Sequence, residues 1–78
     1  MQYFVLTKAN CPWCDLAKGL IKESGGAVVA LSITEYPPLK TLLVKAGYKT
    51  VPQIWNEQGE YIGGYEDLYQ RLAKDDQS

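Results

Sequence analysis

Two short apolar runs with a helical pattern between them constrain this chain more than any other feature. Tyr3-Phe4-Val5-Leu6-Thr7 is aromatic and β-branched, the composition of a buried strand. Ala27-Val28-Val29-Ala30-Leu31-Ser32-Ile33 is a continuous apolar run, the pattern of a strand covered on both faces. Between them, Leu16, Ala17, Leu20 and Ile21 recur at helical spacing, with Lys18, Lys22 and Glu23 facing out. Pro12 fits the first turn of that helix, where its missing N–H costs nothing, and Ser24-Gly25-Gly26 ends it. Strand, helix and strand make one βαβ unit, whose crossover should be right-handed.

The remainder extends this unit without a repeat, linker or low-complexity segment. Thr34 to Pro38 is a connection in which Pro37 and Pro38 open a second helix, with Leu39, Leu42, Leu43 and Ala46 as its apolar stripe and Gly47 at its end. Gln53-Ile54-Trp55 and Tyr61-Ile62 are short strands joined by Asn56-Glu57-Gln58-Gly59, a hairpin turn signal. Gly63-Gly64 breaks the second of these. A last helix follows, with Glu66 and Asp67 in its first turn and Leu68, Tyr69 and Leu72 inward. The expected fold is α/β, a four-stranded mixed sheet with three helices in the order β-α-β-α-β-β-α. It forms one domain over residues 1–78, with residues 74–78 a frayed polar tail.

Charge and length exclude several functions. A formal net charge of −1 over 78 residues gives no electrostatic case for nucleic acid or an anionic membrane. No apolar run is long enough to span a bilayer. Met1-Gln2-Tyr3-Phe4-Val5 lacks the basic region of a signal peptide. A cytoplasmic, reducing setting is therefore expected, and a monomer without partners of those two classes.

In that setting the two cysteines, Cys11 and Cys14, matter most. They sit two residues apart in Asn10-Cys11-Pro12-Trp13-Cys14, where the first strand meets the first helix. A bridge across so short a loop adds little stability, so a structural role is weak on energetic grounds. A retained dithiol there is more readily catalytic or metal-binding. Zinc needs four ligands, and one CxxC with no histidine would require two chains. An iron–sulfur cluster shared between subunits is a non-enzymatic alternative.

For redox chemistry the placement is favourable. A thiol attacks disulfides as thiolate, and Cys11 falls where unpaired N–H groups and the positive end of a helix dipole stabilise an anion. Lys8 adds a cation nearby. Asp15, in the same turn, opposes thiolate formation. The expectation is a Cys11 made more acidic than an ordinary thiol, but less so than it would be without Asp15. Cys14, one turn into the helix, suits the resolving role.

Three segments together resemble the dithiol glutaredoxins, members of the thioredoxin-fold superfamily: Cys11-Pro12-Trp13-Cys14, Thr50-Val51-Pro52-Gln53-Ile54 and Gly63-Gly64-Tyr65-Glu66-Asp67-Leu68. They occur in family order, and the resemblance runs from Tyr3 to about Ala73. It implies a thioredoxin-like fold and a thiol–disulfide oxidoreductase that reduces protein disulfides and glutathione mixed disulfides. Cys11 is then the nucleophile, Cys14 the resolving thiol, and the pair a redox-active disulfide. Pro52 matches a cis-proline facing the active site, and Val51 the residue whose backbone pairs with the cysteinyl unit of glutathione. Lys8 meets the glycyl carboxylate. The Tyr65-Glu66-Asp67 turn, with Gly64, receives the γ-glutamyl end, its carboxylate on helix N–H groups and its ammonium on Asp67. Trp13 and Thr50 complete the expected glutathione site.

The resemblance also implies glutathione as co-substrate, no tightly bound cofactor or metal, and disulfide-containing or glutathionylated proteins as partners. Ribonucleotide reductase is one acceptor suggested by family analogy alone. The chain departs from the family pattern at Trp13, where tyrosine is usual, at Asp15, and at Glu66, which sets a negative charge beside an expected carboxylate site. Glu66 leaves room for a second reading, a glutaredoxin-like electron donor reduced by thioredoxin reductase.

Overall fold

The computed structural model describes residues 1–48 and 50–77. The elements follow the expected order: β1 (Gln2–Thr7), α1 (Pro12–Glu23), β2 (Ala27–Ser32), α2 (Pro37–Lys45), β3 (Gln53–Trp55), β4 (Tyr61–Gly63) and α3 (Tyr65–Gln77). They build one mixed sheet in the spatial order β2-β1-β3-β4. β1 runs parallel to β2, with Val5 opposite Ala30, and antiparallel to β3, with Val5 opposite Ile54. β3 and β4 form the antiparallel hairpin, with a register irregularity at Ile54 and Trp55. The hairpin turn is held by Asn56, whose Oδ1 accepts the N–H groups of Gln58 (3.0 Å) and Glu60 (2.8 Å).

Alternation along β1 divides its side chains between two faces. Tyr3 and Val5 point to one face, where they join Ala17 and Ile21 of α1, Ile54 of β3 and Leu68 of α3 in a single buried cluster. α1 and α3 also contact each other over this face. The buried stripe of α1 is Cys14, Ala17 and Ile21, so the second cysteine belongs to the core, while Leu20 is half-buried and Leu16 is exposed. The expectation of Leu16 inward is thereby corrected: the buried face of α1 is centred on Cys14, Ala17 and Ile21, and Leu16 falls outside it.

The other face is far less covered. Of the expected α2 stripe only Leu43 is buried; Leu39 is half-buried, and Leu42 and Ala46 are exposed. A hollow of about 200 Å³ separates α2 from the sheet, between Leu39, Leu42 and Leu43 on one side and Leu6, Tyr48 and Trp55 on the other. β2 is an edge strand, and none of its residues is fully buried; Leu31 and Phe4 of the neighbouring β1 are both exposed on this side. The expectation of a second strand covered on both faces is thereby corrected: an apolar run reports what a strand could bury, and the stand-off of α2 leaves it half-covered. α3 continues through Gln77, across most of the segment expected as a frayed tail, and Ser78 lies outside the described residues.

Candidate functional site

The site begins where β1 leaves the sheet. Asn10 adopts a left-handed backbone (φ 55°), a conformation that asparagine tolerates better than most residues, and so turns the chain sharply into α1. The turn is tied to the end of β2: Ala9 donates its N–H to Thr34 Oγ1 (3.0 Å), and Ile33 donates to the Thr7 carbonyl (2.8 Å). Cys11 is then the N-cap of α1, in an extended conformation, and Pro12 occupies the first helical position as expected. Cys11 Sγ accepts the Cys14 N–H at 3.2 Å. An orphan donor of the helix end is thus aimed at this sulfur, the arrangement that stabilises negative charge on it.

Cys11 and Cys14 are joined as a disulfide, with Cα atoms 5.2 Å apart, and both are buried. Asp15 points to solvent and pairs with Lys18 at 3.4 Å, so part of its charge is compensated within α1.

At Trp13, between the two cysteines in the chain, opens a cleft of about 580 Å³. It is lined by Trp13 of α1, by the segment Thr50-Val51-Pro52, and by Tyr65 and Glu66 at the start of α3, with Trp13 and Tyr65 packed against each other. Six of the residues expected from sequence are thereby gathered in one place, Trp13, Thr50, Val51, Pro52, Tyr65 and Glu66. The Val51–Pro52 bond is cis. Gly64 lies against Pro52: a Cβ built on it would stand 3.6 Å from the Pro52 carbonyl oxygen. The third segment is therefore seated directly on the second.

Asp67 holds the third segment in shape. Its Oδ2 accepts the Gly64 N–H at 3.1 Å, the half of a capping box that the third helical residue supplies, and the Leu68 N–H makes the first helical bond to the Gly64 carbonyl (3.1 Å). Gly63 must be glycine: its φ is +124°, and a Cβ there would run into the Asp67 carboxylate. Asp67 does not line the cleft. It borders a separate hollow with Tyr61, Gln70, Arg71 and Lys74. Lys8 lies apart as well, in an adjoining hollow of about 360 Å³ that shares Thr50 and Val51 with the cleft.

Three features escaped the sequence reading. Tyr69, expected inward, is exposed and lines the cleft. It follows Tyr65 by one helical turn and stacks near it, with ring centroids 6.4 Å apart, while Trp13 meets Tyr65 at 5.6 Å. The i,i+4 spacing from a cleft residue was the available signal. Lys40, on α2, faces the same hollow as Lys8; only the tertiary position of α2 puts it there.

The third feature is a hydrogen-bond relay at the Thr50-Val51-Pro52 segment. Buried Gln53 donates from Nε2 to the Thr50 carbonyl at 2.7 Å, and the Tyr61 hydroxyl donates to Gln53 Oε1, fixing which way the amide points. Tyr61 also packs with Tyr48 and Trp55. Partial burial, with the nearby Tyr48 and Asp67 adding to it, raises the Tyr61 phenol above its ordinary pKa, so it stays a donor throughout the neutral range.

The family model described as glutaredoxin matches residues 4–62. A glutaredoxin of Pseudomonas aeruginosa is 38% identical over 66 residues, covering 83% of this chain and 77% of that protein. Glutaredoxin 3 of Escherichia coli is 36% identical over 66 residues, covering 83% and 78%. Among solved structures, glutaredoxin 1 from Francisella tularensis superposes with a TM-score of 0.80 at 26% identity, over 99% of this chain and 98% of that one.

Proposed function

This chain belongs to the glutaredoxin family, and from that premise we propose that it is a glutathione-dependent reductase of protein disulfides and glutathione mixed disulfides, acting as a single-domain monomer in the cytoplasm. Thiol–disulfide oxidoreductase activity in general comes with the family and its CxxC pair; the glutathione dependence and the residue roles are the proposal. The observation that carries it is the position of the Cys11–Cys14 disulfide at the head of α1, where Trp13 lines a cleft together with Thr50, Val51 and cis-Pro52.

In the monothiol cycle, Cys11 thiolate attacks the glutathionyl sulfur of a mixed disulfide. The old S–S bond breaks, and its electron pair leaves on the substrate thiolate. A second glutathione thiolate then attacks the glutathionyl sulfur on Cys11, releasing Cys11 thiolate and glutathione disulfide. In the dithiol cycle, Cys11 opens a protein disulfide and Cys14 thiolate attacks the Cys11 sulfur. The second substrate thiolate departs, and the Cys11–Cys14 bond that remains is reduced by two glutathione molecules. No metal or tightly held cofactor enters either cycle.

Glutathione is placed as an extended tripeptide. Its cysteinyl unit pairs with the Val51 backbone between Trp13 and Thr50-Val51-Pro52, in the manner of an added strand. Its glycyl carboxylate meets Lys8 across the shared Thr50–Val51 rim. The Gly64 N–H being held by Asp67, the N–H groups of Tyr65 and Glu66 at the start of α3 take the γ-glutamyl carboxylate, and the ammonium reaches past this turn toward Asp67 at the edge of the neighbouring hollow. Protein substrates by the same chemistry are disulfide-bonded or glutathionylated proteins, ribonucleotide reductase among the candidates.

The Glu66 carboxylate in the cleft favours a second reading, reduction by thioredoxin reductase. One assay separates the two: a mixed disulfide is supplied with either glutathione and glutathione reductase, or thioredoxin reductase. Turnover with the glutathione system, abolished by Cys11→Ser and retained for deglutathionylation by Cys14→Ser, is the expected result. Turnover only with thioredoxin reductase would replace the proposal with the second reading. Loss of deglutathionylation in Cys14→Ser but not in Cys11→Ser would reverse the two thiol roles.

A further inference from the structure

The cleft lined by Trp13 and the hollow that holds Lys8 adjoin at Thr50 and Val51, which line both, and together they offer a groove long enough for an extended chain. Its two ends differ in charge. Lys8 and Lys40, both exposed, stand at one end. Exposed Glu66 stands at the other, among Trp13, Tyr65 and Tyr69. Of the described residues lining the groove, Glu66 is the only carboxylate and the two lysines the only cations.

Each end has a matching ligand chemistry. A pair of lysines on an open rim attracts a carboxylate. A carboxylate set among aromatic rings attracts a cation, since the ring faces carry the negative part of their quadrupole and reinforce the charge. The rings stand close enough to act together, Trp13 to Tyr65 at 5.6 Å and Tyr65 to Tyr69 at 6.4 Å with their planes 27° apart. Between the ends, the Thr50 carbonyl is taken by Gln53, but the Val51 backbone offers an N–H and a C=O that an extended chain can pair with in a set direction.

We propose that this groove selects protein substrates whose reactive cysteine lies in an extended segment with an acidic residue on one side and a basic residue on the other, the acid toward Lys8 and Lys40 and the base toward Glu66 and its aromatic neighbours. The inference rests on the proposed attack by Cys11 and goes beyond it in naming the class of protein partner. Tyr69 and Lys40, neither of them marked by the sequence motifs, become specificity-determining residues. Because backbone pairing sets the chain direction, only one of the two charge orders fits.

The test uses four synthetic peptides, each with one cysteine joined to thionitrobenzoate. Two carry an aspartate and a lysine on opposite sides of the cysteine in either order; the other two carry both charges neutralised, as asparagine and glutamine in either order. Reduced protein is mixed with each peptide. Cys11 thiolate attacks the peptide sulfur, the S–S bond breaks, and coloured thionitrobenzoate leaves with the electron pair. Cys14 thiolate then attacks the Cys11 sulfur and releases the peptide thiolate.

One charged order should react about fivefold faster than its reverse at low salt, and the difference should shrink as salt is added. The neutral peptides should fall between. Glu66→Gln and Lys40→Gln should each reduce the preference, and Glu66→Lys combined with Lys8→Glu and Lys40→Glu should invert it. All three charged positions, Lys8, Lys40 and Glu66, are on the surface, so these variants keep the core intact.

Equal rates for the two charged orders in the unmodified protein, with the neutral peptides reacting, would overturn the inference and leave the proposed chemistry standing. An unchanged preference in the charge-inverted variant would also overturn it. No reaction with any peptide would remove the attack by Cys11 and the inference with it.

Discussion

The two faces of the sheet are built to different standards. On one, Val5, Ala17, Ile21, Ile54 and Leu68 are almost wholly removed from water and tie β1, β3, α1 and α3 into a single body. On the other, α2 stands off, leaving a hollow beneath it and Phe4, Leu31, Leu42 and Val44 exposed. The thiol pair belongs to the first face: Cys14 continues the buried stripe of α1, and Cys11 caps the same helix. Most of the cleft belongs to neither. Thr50-Val51-Pro52 lies between α2 and β3, with its Thr50 carbonyl held by Gln53 and Tyr61 and its buried Pro52 set against Gly64. The disulfide thus rests on tight apolar packing, whereas the segment beneath the cleft relies on a short polar relay and one backbone contact.

The sharpest way to break this contrast is to cut into the closed face. Ile54→Ala should cost about 3 kcal/mol of stability, because a fully buried isoleucine leaves a cavity its neighbours only partly fill. Chemical denaturation measures this, and a loss below about 1 kcal/mol would mean that this face is no better packed than the other.

Tyr61→Phe should have a smaller effect, about 1 kcal/mol, by leaving the buried Gln53 Oε1 without its donor. It also has a pH signature. The folded-state pKa of this phenol lies above the ordinary value, so its contribution is complete below that value, about pH 10, and is lost as pH rises through the folded-state pKa. The stability gap between the parent protein and Tyr61→Phe should therefore be constant through neutral pH and narrow in alkali. Parallel curves up to the highest pH at which both stay folded would separate the hydroxyl from the relay.

Leu42→Ala should do least. The side chain is 63% exposed, and the expected change lies within about 0.5 kcal/mol. A melting temperature lowered as much as in Ile54→Ala would show that α2 closes onto the sheet in solution.

What the sequence made legible follows the same division. The βαβ unit, the proline at the first turn of α1, the Asn56–Gly59 hairpin and the start of α3 were all readable, because each is fixed by local chemistry: a missing N–H, a turn residue, a capping group. The gathering of Trp13, Thr50-Val51-Pro52 and Tyr65-Glu66 into one cleft was readable only through the resemblance, since spacing alone says nothing about segments nearly forty residues apart. Leu42 and Leu31 were misplaced because hydrophobicity shows a preference for burial, while the distance of α2 from the sheet decides whether it is met. Tyr69 was drawn inward by its neighbours Leu68 and Leu72. The Gln53–Tyr61 relay left no trace at all, because a buried glutamine is marked by its partner, and that partner lies across the hairpin.

The disulfide spans a single turn of α1. Closing so short a ring removes only about 2 kcal/mol of freedom from the unfolded chain, less than a long-loop disulfide would, and the Cys14 N–H aimed at Cys11 Sγ offsets part of this in the reduced form. The pair can therefore open and close at a modest cost to the scaffold, and the difference between the two forms is concentrated at the head of α1, where both sulfurs lie.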